Sequence, residues 1–178
     1  MKATTRNLLA AMGTVAGLSL LAAPITASAT NTATGTLNAQ IVITSNCSVS
    51  TGNATLDFSS HASTDSGANA SNGGFSVTCT NLTPYTIGLQ SASTGSTTNG
   101  AGVMSTTATG VTQTIGYQLY QDSGFANVWG NSTTGTVNVK SATGTGAAQA
   151  YTVYGKTTTT LNVPAATYTD TVNINVYY

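Results

Sequence analysis

Phe75-Ser76-Val77-Thr78-Cys79 and, after five intervening residues, Tyr85-Thr86-Ile87-Gly88-Leu89 place an apolar side chain at every second position. Alternate residues of a strand point to opposite faces, so the two runs predict half-buried β-strands. The same period recurs upstream, at Leu37, Ala39, Ile41 and Ile43 and then at Leu56 and Phe58. Downstream it marks Val103 with Met104, then Ile115, Tyr117 and Leu119, then Val128 with Trp129. Val137 with Val139 and Tyr151 with Val153 follow, and Val172, Ile174, Val176 and Tyr178 close the series. No window carries an apolar stripe at i, i+3, i+4, so helices are expected to be nearly absent. Ser71-Asn72-Gly73-Gly74, Asp122-Ser123-Gly124 and Gly144-Thr145-Gly146 read as turns between strands, and residues 91–100 as a polar surface loop. Pro84 and Pro164 are expected at strand starts or edges, where a missing N–H is tolerated. Many short alternating strands separated by turns predict an all-β sandwich or small barrel, and the abundant Thr suits a pleated, half-solvated surface.

The 178 residues suffice for one domain. Lys2 and Arg6, the apolar stretch 8–21 and Ala27-Ser28-Ala29 have the three parts of a secretory signal peptide, cleaved after residue 29. The apolar stretch is short of the ~20 residues that a spanning helix needs, so an uncleaved anchor is the lesser alternative. Cleavage leaves Lys140 and Lys156 against Asp57, Asp65, Asp122 and Asp170. The balance is slightly acidic and no basic patch remains, which argues against a nucleic-acid partner. With only 4% charged residues, solubility falls to hydroxyl and amide side chains.

Chemistry is sparse. Cys47 and Cys79 survive cleavage, and an exported pair reads as one disulfide; free or metal-bound thiols are the alternative, without a C-x-x-C to favour them. His61 is the only imidazole, with Asp57 and Asp65 four residues to either side. Sequence neighbours on a turn rarely build a triad, and no G-x-S-x-G elbow occurs. The chain has no glutamate, and the four aspartates show no acid–base spacing. Gly100-Ala101-Gly102 and Gly144-Thr145-Gly146 lack the third glycine of a dinucleotide loop. The sequons at Asn53, Asn81 and Asn131 are expected by chance in so Asn- and Thr-rich a chain. Tyr117, Tyr120, Trp129, Tyr151 and Tyr154 read as core or cross-strand aromatics, with a sugar-binding platform as the rival. Neither an enzyme nor a cofactor is expected.

The two terminal runs are the informative feature. A free alternating strand must pair with something, either within its own sheet or on the open edge of another molecule's sheet. The residues alone leave both open.

Several motifs resemble those of the spore coat protein U family, shared with the major pilins of archaic chaperone-usher pili. Gly35-Thr36-Leu37-Asn38-Ala39-Gln40-Ile41-Val42-Ile43 followed by Cys47-Ser48-Val49 is similar to that family's donor segment and first cysteine. Thr55-Leu56-Asp57-Phe58 and Phe75 to Cys79 are similar to its next strand and second cysteine. Tyr117-Gln118-Leu119-Tyr120-Gln121-Asp122 resembles its mid-domain strand, and 163–178, with Tyr168-Thr169-Asp170 inside, its closing signature.

The resemblance implies an incomplete immunoglobulin-like sandwich finished by a strand from a neighbouring subunit. Residues 30–45 would be the donor segment and 46–178 the sandwich domain. Leu37, Ala39, Ile41 and Ile43 would fill the neighbour's groove, although Ala39 stands where the family carries a larger aliphatic. Val172, Ile174 and Val176 would line the acceptor groove, and Tyr178 would face a chaperone's basic anchor. Implied partners are a periplasmic chaperone, an outer-membrane usher and further pilin subunits. The implied place is the cell surface after export through the periplasm, with a part in adhesion and biofilm formation. A self-completed coat or matrix protein and a tip adhesin are the alternatives.

Overall fold

The computed structural model of the protein describes residues 31–52, 55–93, 97–134 and 138–178. The expected signal peptide, Asn53 and Val137 lie outside them. By internal contacts the chain divides into Met1–Gln40 and Ile41–Tyr178. In the first unit, residues 31–40 are exposed and belong to no strand.

The described residues of the second unit form eight strands: β1 (Cys47–Ser50), β2 (Asn69–Cys79), β3 (Pro84–Ser91), β4 (Ala101–Met104), β5 (Ile115–Tyr120), β6 (Lys140–Thr143), β7 (Ala148–Thr157) and β8 (Val172–Tyr177). They form a five-stranded sheet in the order β1-β2-β7-β5-β4 and a three-stranded sheet in the order β6-β3-β8, every pair antiparallel. The alternating residues decide how the sheets face. Phe75, Val77, Tyr117, Leu119 and Val153 point inward from the larger sheet, Tyr85, Ile87 and Leu89 from the smaller, and together with Trp129 they make one core.

This is an all-β, immunoglobulin-like sandwich. Such a fold sets strands A, B, E and D in one sheet and C, F and G in the other. Here β1, β2, β7 and β5 stand in the A, B, E and D places, and β3 and β8 stand as C and F. β6 adds to the far edge of β3. Among the described residues no strand occupies the G place beside β8.

Several local readings change. Ser71 to Gly74 is not a turn but lies inside β2, at a bulge where the register to β7 shifts between Ala70 and Gly73. Gly73 leaves close room there: a Cβ would stand 3.0 Å from Leu56 Cδ1 and 3.2 Å from Val153 Cβ, tighter than ordinary contact. Leu56 and Phe58 both pack on the core, as their alternation says, yet their segment forms no strand. The bulge turns Asn72 toward it: Asp57 N–H donates to Asn72 Oδ1 at 2.9 Å and Asn72 Nδ2 donates to the Asp57 carbonyl at 3.2 Å. A side-chain amide thus takes the place of a ladder partner. Val128 and Trp129 contribute only a bridge, Tyr120 to Val128, and Val139 immediately precedes β6. Pro164 sits in the loop before β8, where its carbonyl accepts from Tyr168 Oη at 2.9 Å.

Candidate functional site

The disfavoured alternative, histidine chemistry at His61, has no support in the geometry. His61 Nδ1 lies 3.0 Å from Asp65 Oδ2 and Nε2 lies 2.9 Å from the Phe58 carbonyl, so both ring nitrogens are engaged and neither faces a serine hydroxyl. The aromatic set is not a surface platform either. Trp129 and Tyr117 are buried, Tyr151 stacks on Phe75 at 5.6 Å, and Tyr151 Oη meets Tyr85 Oη at 2.6 Å. Burial, then the bond to Tyr85, pushes the Tyr151 phenol well above the ordinary tyrosine range. Among the described residues no group of His, Cys, Asp or Glu is placed to hold a metal ion, and no helix is long and apolar enough to cross a membrane.

The candidate site is an open groove of ≈ 1130 Å³ whose lining mixes apolar side chains with hydroxyls and the carboxylates of Asp57 and Asp170. Phe75, Leu89, Leu119 and Val153, all core residues, lie at its base. Leu56 and Phe58 reach it from the segment after β1, and Leu161, Val163 and Tyr168 from the loop before β8. Gly155 makes the Phe58 position possible: a Cβ there would meet the Phe58 ring at 2.7 Å. From β8, Val172 and Ile174 line the groove. Val176, expected beside them, packs on the core but is not part of the lining, and Tyr178 is 61% exposed at the chain end.

The rims of the two sheets explain why the groove is open. Val49 on edge strand β1 stands opposite Val77, so its side chain points to the core face, yet it is 39% exposed while Val77 is fully buried. Val172, Ile174 and Val176 point inward from edge strand β8 and are only half-buried. Inward-facing aliphatics keep their exposure only where a layer of packing stops short. Sequence reasoning missed Val49, because Ser48-Val49-Ser50 offers a single apolar residue, and it missed the loop residues 161–168, which have no strand period.

The expected donor residues are exposed. Leu37 is 94%, Ile41 83% and Ile43 71% exposed, Ala39 is exposed as well, and no strand includes any of them. They read as a strand from their pattern, but a strand needs a ladder, and residues 41–46 have none in this chain. The segment's root is fixed. Cys47 is disulfide-bonded to Cys79, its cross-strand partner in the same sheet. Asn46 N–H donates to Thr80 Oγ1 at 3.0 Å, and Thr80 N–H donates to the Asn46 carbonyl at 2.9 Å.

The family model of the Spore Coat Protein U domain matches residues 33–175, which spans the donor-like segment, both cysteines and the first four residues of β8. The chain belongs to the Spore Coat Protein U domain family. In this spore coat U domain the closing signature acquires a physical meaning: Tyr168 ties its own loop, and Asp170 accepts from Tyr117 Oη at 2.8 Å. Burial, and next the Asp170 bond, pushes the Tyr117 phenol far above its ordinary range. Among solved structures, the domain is similar to the CsuC–CsuE chaperone–tip adhesion subunit pre-assembly complex from archaic chaperone-usher Csu pili of Acinetobacter baumannii. The identity is 18% and the TM-score 0.47, over 76% of this chain and 40% of that one. Comparison with curated proteins finds no match.

Proposed function

We propose that this spore coat U domain is a shaft subunit of an archaic chaperone-usher fimbria, polymerising by donor-strand exchange. Leu37, Ala39, Ile41 and Ile43 of one copy enter the groove of the next, beside β8. One observation carries the reading: Val172 and Ile174 of edge strand β8 face inward, line the open groove and stay only half-buried, while Val49 on edge strand β1 faces inward and is 39% exposed. The alternating run that would fill it, represented by Ile41 and Ile43, is itself exposed.

The energetics suit a durable fibre. Burying Leu37, Ile41 and Ile43 at about 1.5 to 3 kcal/mol each contributes about 5 to 9 kcal/mol, with main-chain hydrogen bonds to the β8 edge added. Before assembly a periplasmic chaperone covers the groove, with the carboxyl end at Tyr178 on its basic anchor, and an outer-membrane usher exchanges it for the next subunit. The product is a fimbrium at the cell surface that supports adhesion and biofilm formation.

The test is an unheated detergent gel of material sheared from cells, comparing the natural chain with Ile41→Asp. A ladder that collapses to monomer on boiling, and is absent in the variant while its chaperone complex persists, supports the reading. A single monomer band from the natural chain overturns it in favour of a self-completed coat protein.

A further inference from the structure

At one end of the groove a single carboxylate joins both sheets. Asp170 lies two residues before Val172, the first groove residue of β8. Its Oδ2 accepts from Tyr117 Oη in β5 of the larger sheet, at 2.8 Å, and from Ser91 Oγ at the end of β3 in the smaller sheet. Its Oδ1 accepts from Thr171 N–H at 2.8 Å. Backbone bonds surround this junction: Ala92 N–H donates to the Thr171 carbonyl at 2.8 Å, and Ser105 and Thr169 exchange bonds at 3.0 and 2.8 Å. Ser93 Oγ, 2.6 Å from Ser91 Oγ, accepts from Val103 N–H at 3.1 Å, which brings in β4. Tyr117 and Ser91 are 2% and 1% exposed, so each depends on Asp170 or its neighbours for a polar partner.

A sandwich with half-exposed aliphatics on two facing rims gains free energy by drawing the rims together. Such a movement of β8 would strip a buried phenol and a buried hydroxyl of the carboxylate they bond, which opposes it. We propose that the Tyr117–Asp170–Ser91 clasp is a positioning device that holds the rims at strand-accepting spacing before a donor arrives. The proposal rests on the strand-acceptor reading given above. It assigns these residues to capture of the incoming strand rather than to general stability, since a filled groove is held open by the strand inside it.

The experiment uses the refolded full chain carrying Ile41→Asp, which disables its own donor, and a synthetic peptide of residues 30–45 as the probe. A second form carries the same peptide joined after Tyr178 by a flexible linker, so that the groove is filled in advance. Tyr117→Phe and Asp170→Asn are expected to slow peptide capture about tenfold or more, the scale of a lost bond to a charged group, while barely moving the melting temperature of the filled form. Ser91→Ala, which removes the Asp170 bond and the hydroxyl's contacts with Ser93 but leaves the Tyr117–Asp170 bond and costs little volume, is expected to give a smaller loss of the same kind and serves if the other two fold poorly. Capture at the unaltered rate, or a loss matched by an equal fall in stability of the filled form, overturns the clasp. Failure of the peptide to bind even with the clasp intact overturns the strand-acceptor reading itself.

Discussion

The indole N–H of Trp129 donates to the Ile87 carbonyl at 2.9 Å, tying the loop after β5 to the central strand of the smaller sheet. The ring is fully buried, 5.8 Å from Phe75 and 6.3 Å from Tyr151 between centroids, with Lys140 Nζ 5.8 Å above it. Trp129→Phe removes that hydrogen bond and leaves unfilled volume that the surrounding rings fill only in part. We expect a loss of roughly 2 to 4 kcal/mol, read as a lower urea midpoint at unchanged slope by circular dichroism. An unchanged midpoint would show that the aromatic cluster does not centre the core.

How far the sequence disclosed this arrangement depends on what each signal encodes. Side-chain period reports which face a residue shows, so the runs at Phe75, Tyr85, Ile115, Tyr151 and Val172 found β2, β3, β5, β7 and β8. It does not report the partner. Leu56 and Phe58 were legible as core residues, but not that the Asn72 amide would stand in for their ladder. Glycine marks a departure from regular backbone without saying whether the chain reverses or bulges, so Gly73 and Gly74 read as a turn and proved to be a bulge. The groove was legible from one rim only. Val172 and Ile174 belong to a long periodic run, whereas Val49 takes its meaning from standing opposite Val77.

The Cys47–Cys79 bond closes a loop of sequence separation 32, for which chain entropy gives about 3 to 4 kcal/mol. Its place predicts more than a global loss. β1 has four residues and is an edge strand, and Val49 on it is an inward-facing aliphatic that stays 39% exposed. Cys47→Ala with Cys79→Ala should therefore speed amide hydrogen exchange in β1 more than in β2 or β7, and weaken capture of the 30–45 peptide. Uniform acceleration across the sheet would contradict a local role.

Asp122 fixes the turn after β5. Its carboxylate accepts from the N–H groups of Asn127, Ala126 and Gly124 and from Asn127 Nδ2. The bonds from Asn127 and Ala126, first among these, hold its carboxyl below the usual aspartate range. Because the folded value lies below the unfolded one, the contribution to stability is present above about pH 4, the ordinary carboxylate value, and is lost as pH falls through the folded value. Melting temperatures of the natural chain and Asp122→Asn should differ at neutral pH and converge in acid. A gap that stays constant from pH 7 to pH 3 would remove the carboxylate from the account.

The two halves of β8 separate burial from donor contact. Ile174 lines the groove, while Val176, on the same face, packs on the core outside the lining. Ile174→Ala removes apolar surface that an inserted strand would cover, so it should weaken capture of the 30–45 peptide by about 1 to 2 kcal/mol, roughly a five- to thirtyfold change. Val176→Ala should lower the melting temperature of the unfilled subunit by a comparable free energy while leaving peptide affinity nearly unchanged. The contrast is demanding because the substitutions sit two residues apart and both shorten an inward aliphatic, so general weakening of β8 would move both measurements together. Equal effects on affinity would mean that the incoming strand runs the full length of β8. A larger effect at Val176 would place it at the other end of that strand.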